Sequence, residues 1–156
     1  MYIALGDSDL VERNDYLKYS GLNDDYYSFD YQNIHFLAIS TNEEKNDELG
    51  IISDTIQLDF IRADLNNAAD NPRTDWLIVF LHHPMYTSEP NPYSMDLRNI
   101  LQPTFDLYGV DLVINGHKHA YERTNPVTFN GVITDNENCL YNAPNGQICL
   151  LYTSPS

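Results

Sequence analysis

The 156-residue sequence predicts a single layered α/β domain, and three observations lead to that prediction. Short apolar runs of strand length alternate along the chain with segments whose apolar residues recur at helical spacing. Hydrophobic residues make up 42% of the sequence, which is enough to bury a core. No apolar run approaches the roughly 18–20 residues that a membrane-spanning helix requires, so no segment is a candidate span.

The first half of the chain predicts a strand and a hairpin. The apolar run Tyr2–Leu5, stopped by a glycine, is typical of a buried strand, and residues 7 to 25 are polar and expected to be irregular. Aromatic residues then alternate with polar ones up to Tyr31, and the alternation resumes at Ile34 after a two-residue turn. This pattern predicts a β-hairpin, and the charged residues 42 to 50 after it predict a loop.

The second half alternates helices with buried strands. Apolar residues at helical spacing predict a helix that begins near residue 53 and ends before Pro72. The uniformly apolar run Trp76–Leu81 predicts a strand that is covered on both faces. A second amphipathic helix follows and ends at Gly109, and Val110–Ile114 predicts a further buried strand.

Acidic residues dominate the charge, because 23 Asp and Glu against 8 Lys and Arg give a formal net charge of −15. Nucleic acids and anionic membranes bind basic faces, so this balance argues against both classes of partner. It would also repel a phosphorylated substrate unless bound metal ions reversed the local sign. The two cysteines, Cys139 and Cys149, form no metal signature and are too few for a disulfide scaffold.

Histidines occur where the apolar strands end. His82 and His83 follow one buried strand, and His117 and His119 follow the next. Ligands in open α/β sheets bind outside the carboxyl ends of the strands, so both pairs are expected at the same edge. Imidazole is a common ligand for zinc and iron, and Asp7, after the first predicted strand, could add an oxygen. The pattern therefore predicts a metal site at this edge.

Each of these residues also has a structural interpretation. His35, inside the predicted hairpin, is interpreted as an ordinary strand residue, and Asp7 on its own could be an ordinary loop aspartate. One histidine of the His82–His83 pair, taken alone, is more typical of a structural histidine that bonds to backbone. The group Gly116–His119, directly after a buried strand, is harder to explain in that way.

Three segments carry a resemblance to a known family. Residues Tyr26–Phe36 are similar to its characteristic hairpin, and Trp76–Tyr86 are similar to its strand that ends in His-x-Pro. The segment Gly109–Arg123 contains Gly-His-Lys-His-Ala-Tyr-Glu-Arg, where the family has Gly-His-x-His-Ala-Tyr-Glu-Arg. On these residues the chain resembles the calcineurin-like metallophosphoesterases, and within them the purple acid phosphatases, over about residues 2 to 148.

The resemblance implies a fold, an activity and a metal content. The fold would be a metallophosphoesterase-type β-sandwich flanked by helices, and the activity would be acid-phosphatase-like hydrolysis of small phosphomonoesters. A metal-bound hydroxide would attack phosphorus. The intact family member would hold two metal ions, iron with zinc, manganese or a second iron. Family habit implies a secreted, vacuolar or lysosomal protein, although no signal peptide follows Met1.

The resemblance also assigns residues to three groups, namely metal ligands, supports behind the ligands, and walls of the substrate pocket. The ligands would be Asp7, His82, His117 and His119. The supports would be Glu122 and Arg123, and the pocket walls would be Tyr86 and Tyr121.

The sequence departs from the family at one motif. Gly6-Asp7-Ser8-Asp9 stands where the family has Gly-Asn-His-Glu or Gly-Asn-His-Asp. Asp7 can still coordinate a metal, but Ser8 replaces a histidine that contacts phosphate and helps to protonate the leaving group. A serine hydroxyl is no general acid near neutral pH, so no catalytic residue is carried over at this position.

The first two family motifs, Asp-x-Gly and Gly-Asp-x-x-Tyr, are expected upstream of Met1. Residues 1–148 are therefore expected to form a partial catalytic domain, incomplete at its N-terminal side, and to hold one metal ion at most. Residues 149–156 are expected to be an unrelated or truncated tail. Two functions stay open: a phosphomonoester hydrolase, and a non-catalytic remnant with at most one metal site.

Overall fold

The computed structural model describes residues 4, 6, 13–41, 43–45, 48–50, 55–88, 94–118, 121–129, 131–132 and 148–151. Its helices are α1 (Arg13–Ser20), α2 (Thr55–Ala69) and α3 (Ser94–Tyr108). Its strands are β1 (Tyr27–Tyr31), β2 (Ile34–Ile39), β3 (Glu43–Lys45), β4 (Glu48–Gly50), β5 (Trp76–Leu81), β6 (Leu112–Asn115), β7 (Glu122–Arg123), β8 (Val127–Thr128), β9 (Gly131–Val132) and β10 (Ile148–Leu151). In these ranges no helix combines the length and the apolar character that crossing a membrane demands.

Six strands form one mixed sheet in the order β1-β2-β5-β6-β10-β7. Strands β1 and β2 pair antiparallel as the predicted hairpin, whereas β2, β5, β6 and β10 run parallel to one another. Strand β7 returns antiparallel to β10 at the edge. The pairs β3–β4 and β8–β9 form separate two-stranded sheets. The predicted α/β fold is confirmed, and only Ala4 of the strand predicted at Tyr2–Leu5 is among the described residues.

Helices α2 and α3 pack on one face of the main sheet. Each helix carries buried apolar residues four positions apart, and this spacing places them on one side of the helix. They meet the inward side chains of β2, β5 and β6, which alternate with outward ones. Pro103 lies inside α3 without ending it. The core includes Leu37, Ile61, Leu65, Val79, Leu97, Leu101, Phe105 and Val113.

The opposite face of the sheet is also apolar. Phe29 stacks on Phe36 with ring centroids 4.9 Å apart, and Tyr27 lies edge-on to Phe80 at 6.2 Å. These side chains are half-buried, because in the described part of the chain both large helices cover the other face. Parallel strands that are apolar on both sides are typical of a sheet covered on two faces. A second layer of the predicted sandwich would pack here.

Helix α1 lies within residues 7 to 25, which are expected to be irregular, so that expectation is wrong for part of the segment. Gly21 ends the helix at φ 73°, and its N–H donates to the carbonyl oxygen of Leu17 at 3.0 Å. Asp15 in the first turn and Lys18 in the last turn complement the helix dipole. These features at its two ends favour the helix.

One further segment differs from the sequence-based expectations. Residues 42 to 50, expected to be a loop, contain β3 and β4, which pair antiparallel from Glu43 opposite Gly50. Residues 149 to 151, at the start of the segment expected to be an unrelated or truncated tail, lie in β10, which pairs parallel with β6. The expectation of a tail at 149–156 stays a prediction.

His35 ties the hairpin to helix α2. It is buried in β2, and its Nδ1 lies 2.7 Å from Oδ1 of Asp30 while its Nε2 lies 2.8 Å from Oδ2 of Asp64. The hydroxyl of Ser28 donates to Oδ1 of Asp64 at 2.6 Å. Burial lowers the pKa of His35, but the hydrogen bonds and the attraction to Asp64 and Asp30 outweigh it, so the pKa is raised. The two carboxylates therefore favour the protonated form of His35, which links the hairpin to helix α2.

The pH dependence of stability should reflect this protonated form. A group with a raised folded pKa stabilises the fold fully below its unfolded pKa, about 6.5 for histidine, and loses that contribution as pH rises through the folded pKa. We expect H35Q to lower the free energy of unfolding by about 1.5–3 kcal/mol at about pH 6, and by less at about pH 9.

Urea unfolding of wild type and H35Q across this range measures the difference. D59N is the matched control, because Asp59 lies on α2, the helix that carries Asp64, and forms an exposed ion pair with Arg62. Its effect should be small at every pH. A wild-type-to-H35Q difference that stays constant with pH would contradict the prediction.

Asn115, the last residue of β6, is buried without hydrogen bonds from its amide. Its exposed fraction is 2%, and neither Oδ1 nor Nδ2 has a hydrogen-bond partner among the described residues. Pairing with Leu81 in the parallel register places it on the face that the helices cover. Gln57 shows the opposite case: Oε1 accepts from the Ser40 N–H at 2.9 Å, and Nε2 donates to the Ser40 carbonyl at 3.1 Å. A buried amide without partners is unfavourable by about 1–3 kcal/mol.

We therefore expect N115L to raise the free energy of unfolding by about 1–2 kcal/mol, since leucine fills similar space without polar atoms. The matched control, Q57L, should lower it by about 1–3 kcal/mol, because it leaves buried backbone groups of Ser40 unpaired. Denaturant unfolding of the three proteins under one condition tests both signs. If N115L lowers the free energy of unfolding as Q57L does, the prediction is contradicted, and the Asn115 amide makes a hydrogen bond that stabilises the fold.

Candidate metal centre

The carboxyl ends of β5 and β6 meet at one edge of the sheet. The two strands are parallel and in register, with Leu81 opposite Asn115. His82 follows β5 directly, and the N–H of Gly116 donates to its carbonyl oxygen at 2.9 Å. This bond extends the ladder by one residue past both strands. As a result, His82 and His117 lie side by side although 35 positions separate them.

Gly116 is required by the closeness of the two loops. A Cβ at this position would lie 3.3 Å from Nδ1 of His82 and 3.6 Å from its carbonyl oxygen. The first distance is shorter than a comfortable van der Waals contact, so a larger residue would displace the His82 ring. The glycine therefore lets the two backbones approach closely enough for the His82 and His117 rings to meet edge-on, with centroids 5.2 Å apart.

His117 has an unusual backbone conformation. Its φ is 71°, and the N–H of Lys118 donates to the carbonyl oxygen of Gly116 at 2.9 Å across it. A positive φ with this i to i+2 bond is typical of the rarer form of γ-turn. Non-glycine residues in sparsely populated backbone regions are unfavourable by about 1–3 kcal/mol and cluster at functional sites. The turn brings the His117 ring next to His82.

Three histidine nitrogens converge at this edge. Nδ1 of His117 lies 3.3 Å from Nε2 of His82. Two nitrogens bound tetrahedrally to one zinc at about 2.0–2.1 Å would be separated by about 3.3–3.4 Å, so this pair has the spacing of two ligands. His83 joins them, and one nitrogen from each of the three rings lies within 4.8 Å of the others. The residues therefore fit a metal ion of the kind that imidazole binds.

Sequence reasoning did not single out His83 as part of this cluster. Neighbouring residues of a strand point to opposite faces, which favours one site histidine and one structural histidine. The strand, however, ends at Leu81, and both histidines lie in the bend after it. A His-His pair placed directly past a strand end is the signal that would have indicated a shared site.

Glu122 joins the loop after β5 to the segment after His117. Its carboxylate accepts the N–H of Ser88 at 3.2 Å and also the Ser88 hydroxyl. The Ser88 hydroxyl bond is the main cause of its lowered pKa, and the charge of Lys118 adds to it. These bonds put Glu122 where a support would act, whereas Arg123 is exposed at the surface.

The two predicted pocket tyrosines occupy different surroundings. The Tyr86 hydroxyl donates to Oε1 of Gln102 at 3.3 Å, and the Arg98 guanidinium lies 5.0 Å from its ring centroid, so Tyr86 packs against α3. Tyr121 is 70% exposed. The remaining predicted site residues, Asp7, Ser8 and His119, lie outside the described residues, and all these roles stay predictions.

Comparison with known proteins agrees with this geometry. The family model for the calcineurin-like phosphoesterases matches residues 2–121. Purple acid phosphatase 18 of Arabidopsis thaliana is 36% identical over 112 residues, which are 69% of this chain and 24% of that protein. An acid phosphatase of Aspergillus ficuum is 41% identical over 64 residues, which are 41% of this chain and 10% of that protein. The chain thus spans about a quarter or less of these curated relatives.

Solved structures show the same fold. The purple acid phosphatase PPD1 from yellow lupin seeds is similar with a TM-score of 0.61 and 30% identity, covering 81% of this chain and 22% of that chain. GAP50 of Plasmodium has a TM-score of 0.54 at 19% identity, over 83% of this chain and 38% of that chain, which supports the fold alone. The family resemblance of the three sequence segments is therefore confirmed. The chain belongs to the calcineurin-like phosphoesterase family, whose members are hydrolases with a dinuclear metal centre and include acid phosphatases.

Proposed function

We propose that the protein to which this chain belongs hydrolyses small phosphomonoesters at a metal centre outside the carboxyl ends of β5 and β6. The observation that carries the proposal is the 3.3 Å spacing of the His82 and His117 nitrogens at the edge where the family motif falls. When bound, the metal would supply a hydroxide nucleophile and neutralise the phosphoryl oxygens. The rest of the chemistry depends on how this chain's own residues hold and shape the site.

The metal content follows from the donor types and the charge. Imidazole donors suit zinc and iron, and iron paired with zinc, manganese or a second iron is the content proposed for the whole protein. We propose one metal at most for these 156 residues, since the donors that converge among the described residues form one cluster, His82, His83 and His117. A net charge of −15 would repel a phosphate ester, so a local cation is needed for substrate to approach.

Three groups of this chain have distinct tasks in the proposed site. His82 and His117 hold the cation, and the hydrogen bond between Gly116 and His82 keeps their loops together. Glu122 fixes the loop of His82 through Ser88. Ser8 leaves the role of proton donor to the leaving oxygen unfilled, because a serine hydroxyl holds its proton too tightly to transfer it near neutral pH.

A second function, a non-catalytic remnant, is favoured by the motif Gly6-Asp7-Ser8-Asp9. A protein that keeps the fold and one metal, yet has lost the proton donor, need not turn over substrate. The intact segment from Gly116 to Arg123 favours the hydrolase instead. Binding of metal without hydrolysis of any phosphate ester would favour the remnant.

The direct test produces the chain together with the sequence that precedes it in its reading frame. We expect hydrolysis of p-nitrophenyl phosphate that disappears on chelation and returns with added metal. H117A should abolish the metal-dependent hydrolysis, because it removes one of the two paired nitrogens that hold the cation. H35Q is the matched control, since this histidine lies outside the site, and it should keep metal-dependent hydrolysis while folded. Equal activity of H117A and wild type would contradict the proposal.

The vacancy at Ser8 predicts a substrate-dependent handicap. General-acid assistance contributes about 10²–10⁴-fold, and it matters least for aryl phosphates, whose leaving groups need little protonation. We therefore expect S8H to raise the hydrolysis of an alkyl phosphate by up to that factor and of an aryl phosphate by much less. Measuring kcat/KM for both esters tests this. Equal gains on the two esters would mean that position 8 does not serve the leaving group.

A further inference from the structure

We infer that His83 is a third nitrogen ligand, so that His82, His83 and His117 form a three-imidazole site for one zinc-type cation. The inference deepens the proposed function by naming the nitrogen donors. It rests on that function only in placing the metal site outside the carboxyl ends of β5 and β6. The family motif supplies His82 and His117 by resemblance, whereas His83 comes from the geometry of this chain. The three residues are called the histidine cluster below.

The positions of the three rings favour one cation shared by all of them. The centroid of the His83 ring lies 4.7 Å from that of His117 and 5.0 Å from that of His82. The His82 and His117 centroids are 5.2 Å apart, so the three rings form a nearly equilateral triangle. One nitrogen of each ring lies within 4.8 Å of the others. A cation at about 2.0–2.1 Å from each nitrogen would require small ring movements inward.

The backbone holds His83 in place for this task. The N–H of His83 donates to the Thr41 hydroxyl oxygen at 3.1 Å, and the same oxygen lies 2.9 Å from Nδ1 of the ring. Thr41 follows β2, the strand next to β5, so three neighbouring strand ends contribute to the site. His83 is 3% exposed, which keeps its ring out of solvent and fixed in orientation.

The bond to Thr41 also determines which nitrogen can bind. Metal-binding histidines almost always bond through their other ring nitrogen to a nearby oxygen, which orients the ring. Because Nδ1 of His83 is engaged by Thr41, Nε2 is the nitrogen that it can offer to a cation. Thr41 is therefore a positioning residue, and its removal should weaken binding without removing a ligand.

The donor set has consequences for metal choice. Three imidazoles without a carboxylate suit zinc, copper and nickel, whereas magnesium and manganese prefer oxygen donors. Three protein nitrogens with an open fourth position are also a pattern of catalytic zinc sites. Neutral donors leave the cation its full charge, which favours attraction of a phosphate in a chain of net charge −15.

The test on the wild-type chain identifies which histidine rings bind the metal ion. We propose to load the ¹⁵N-histidine-labelled 156-residue chain with ¹¹³Cd²⁺ and to record which of its five histidines show cadmium–nitrogen coupling. Coupling to His82, His83 and His117, with Nε2 as the coupled nitrogen of His83, is the expected result. Coupling to His82, His117 and His119 without His83 would overturn the inference.

Variants give a second readout by zinc competition titration. H83N keeps an atom near the Nδ1 position for the Thr41 bond but lacks Nε2, whereas H83Q places its amide nearer the Nε2 position. We expect H83N to weaken Zn²⁺ binding by more than the roughly 10–100-fold that loss of an orienting partner causes, and T41V to weaken it within that range. Wild-type affinity in a folded H83N would overturn the inference.

These results separate the inference from the proposed function. Metal-dependent hydrolysis that H83N leaves unchanged would reject His83 as a ligand while the phosphatase stands. Zinc binding that depends on all three histidines, without hydrolysis in the longer protein, would confirm the site and reject the phosphatase. Circular dichroism of each variant confirms that it is folded before the titrations are compared.

Discussion

The parallel, in-register pairing of β5 and β6 determines where every group of the candidate site lies. Parallel strands that lie side by side end at the same edge of the sheet. The residues that directly follow β5 and β6 are therefore neighbours in space. Leu81 opposite Asn115 sets the register, and the bond from Gly116 to His82 continues it. A shift by one residue would separate the two rings and turn the core side chains to the other face. Packing and chemistry thus depend on the same ladder.

The described histidines serve two different purposes because their neighbours differ. His35 lies between Asp30 and Asp64, and the two carboxylates favour its protonated form. His82 and His117 instead lie beside His83, and one nitrogen from each of the three rings lies within 4.8 Å of the others, an arrangement that a metal ion can use. One sheet therefore carries a histidine whose protonated form favours folding and, past the ends of β5 and β6, histidines suited to bind a metal cation.

Much of the fold and part of the site could be predicted from the sequence, for reasons that particular residues show. The run Trp76–Leu81 is apolar throughout because β5 contacts apolar side chains on both of its faces. Gly116 and His117 directly follow β6, at the edge of the sheet where ligand sites are typical. Helix α1 was not predictable from periodicity, since its sequence is largely polar and it ends at Gly21, which has a positive φ. The resemblance placed Tyr86 in the substrate pocket and gave His83 no role, yet both side chains contact residues distant in sequence, Gln102 and Thr41 respectively.

The positive φ of His117 has a consequence for how this site can change by mutation. Glycine and asparagine adopt that backbone conformation at little or no penalty, so folding alone would favour either of them at position 117. Replacing His117 by glycine should therefore relieve backbone strain while removing a candidate metal ligand, so folding and metal binding make opposite demands on this one position.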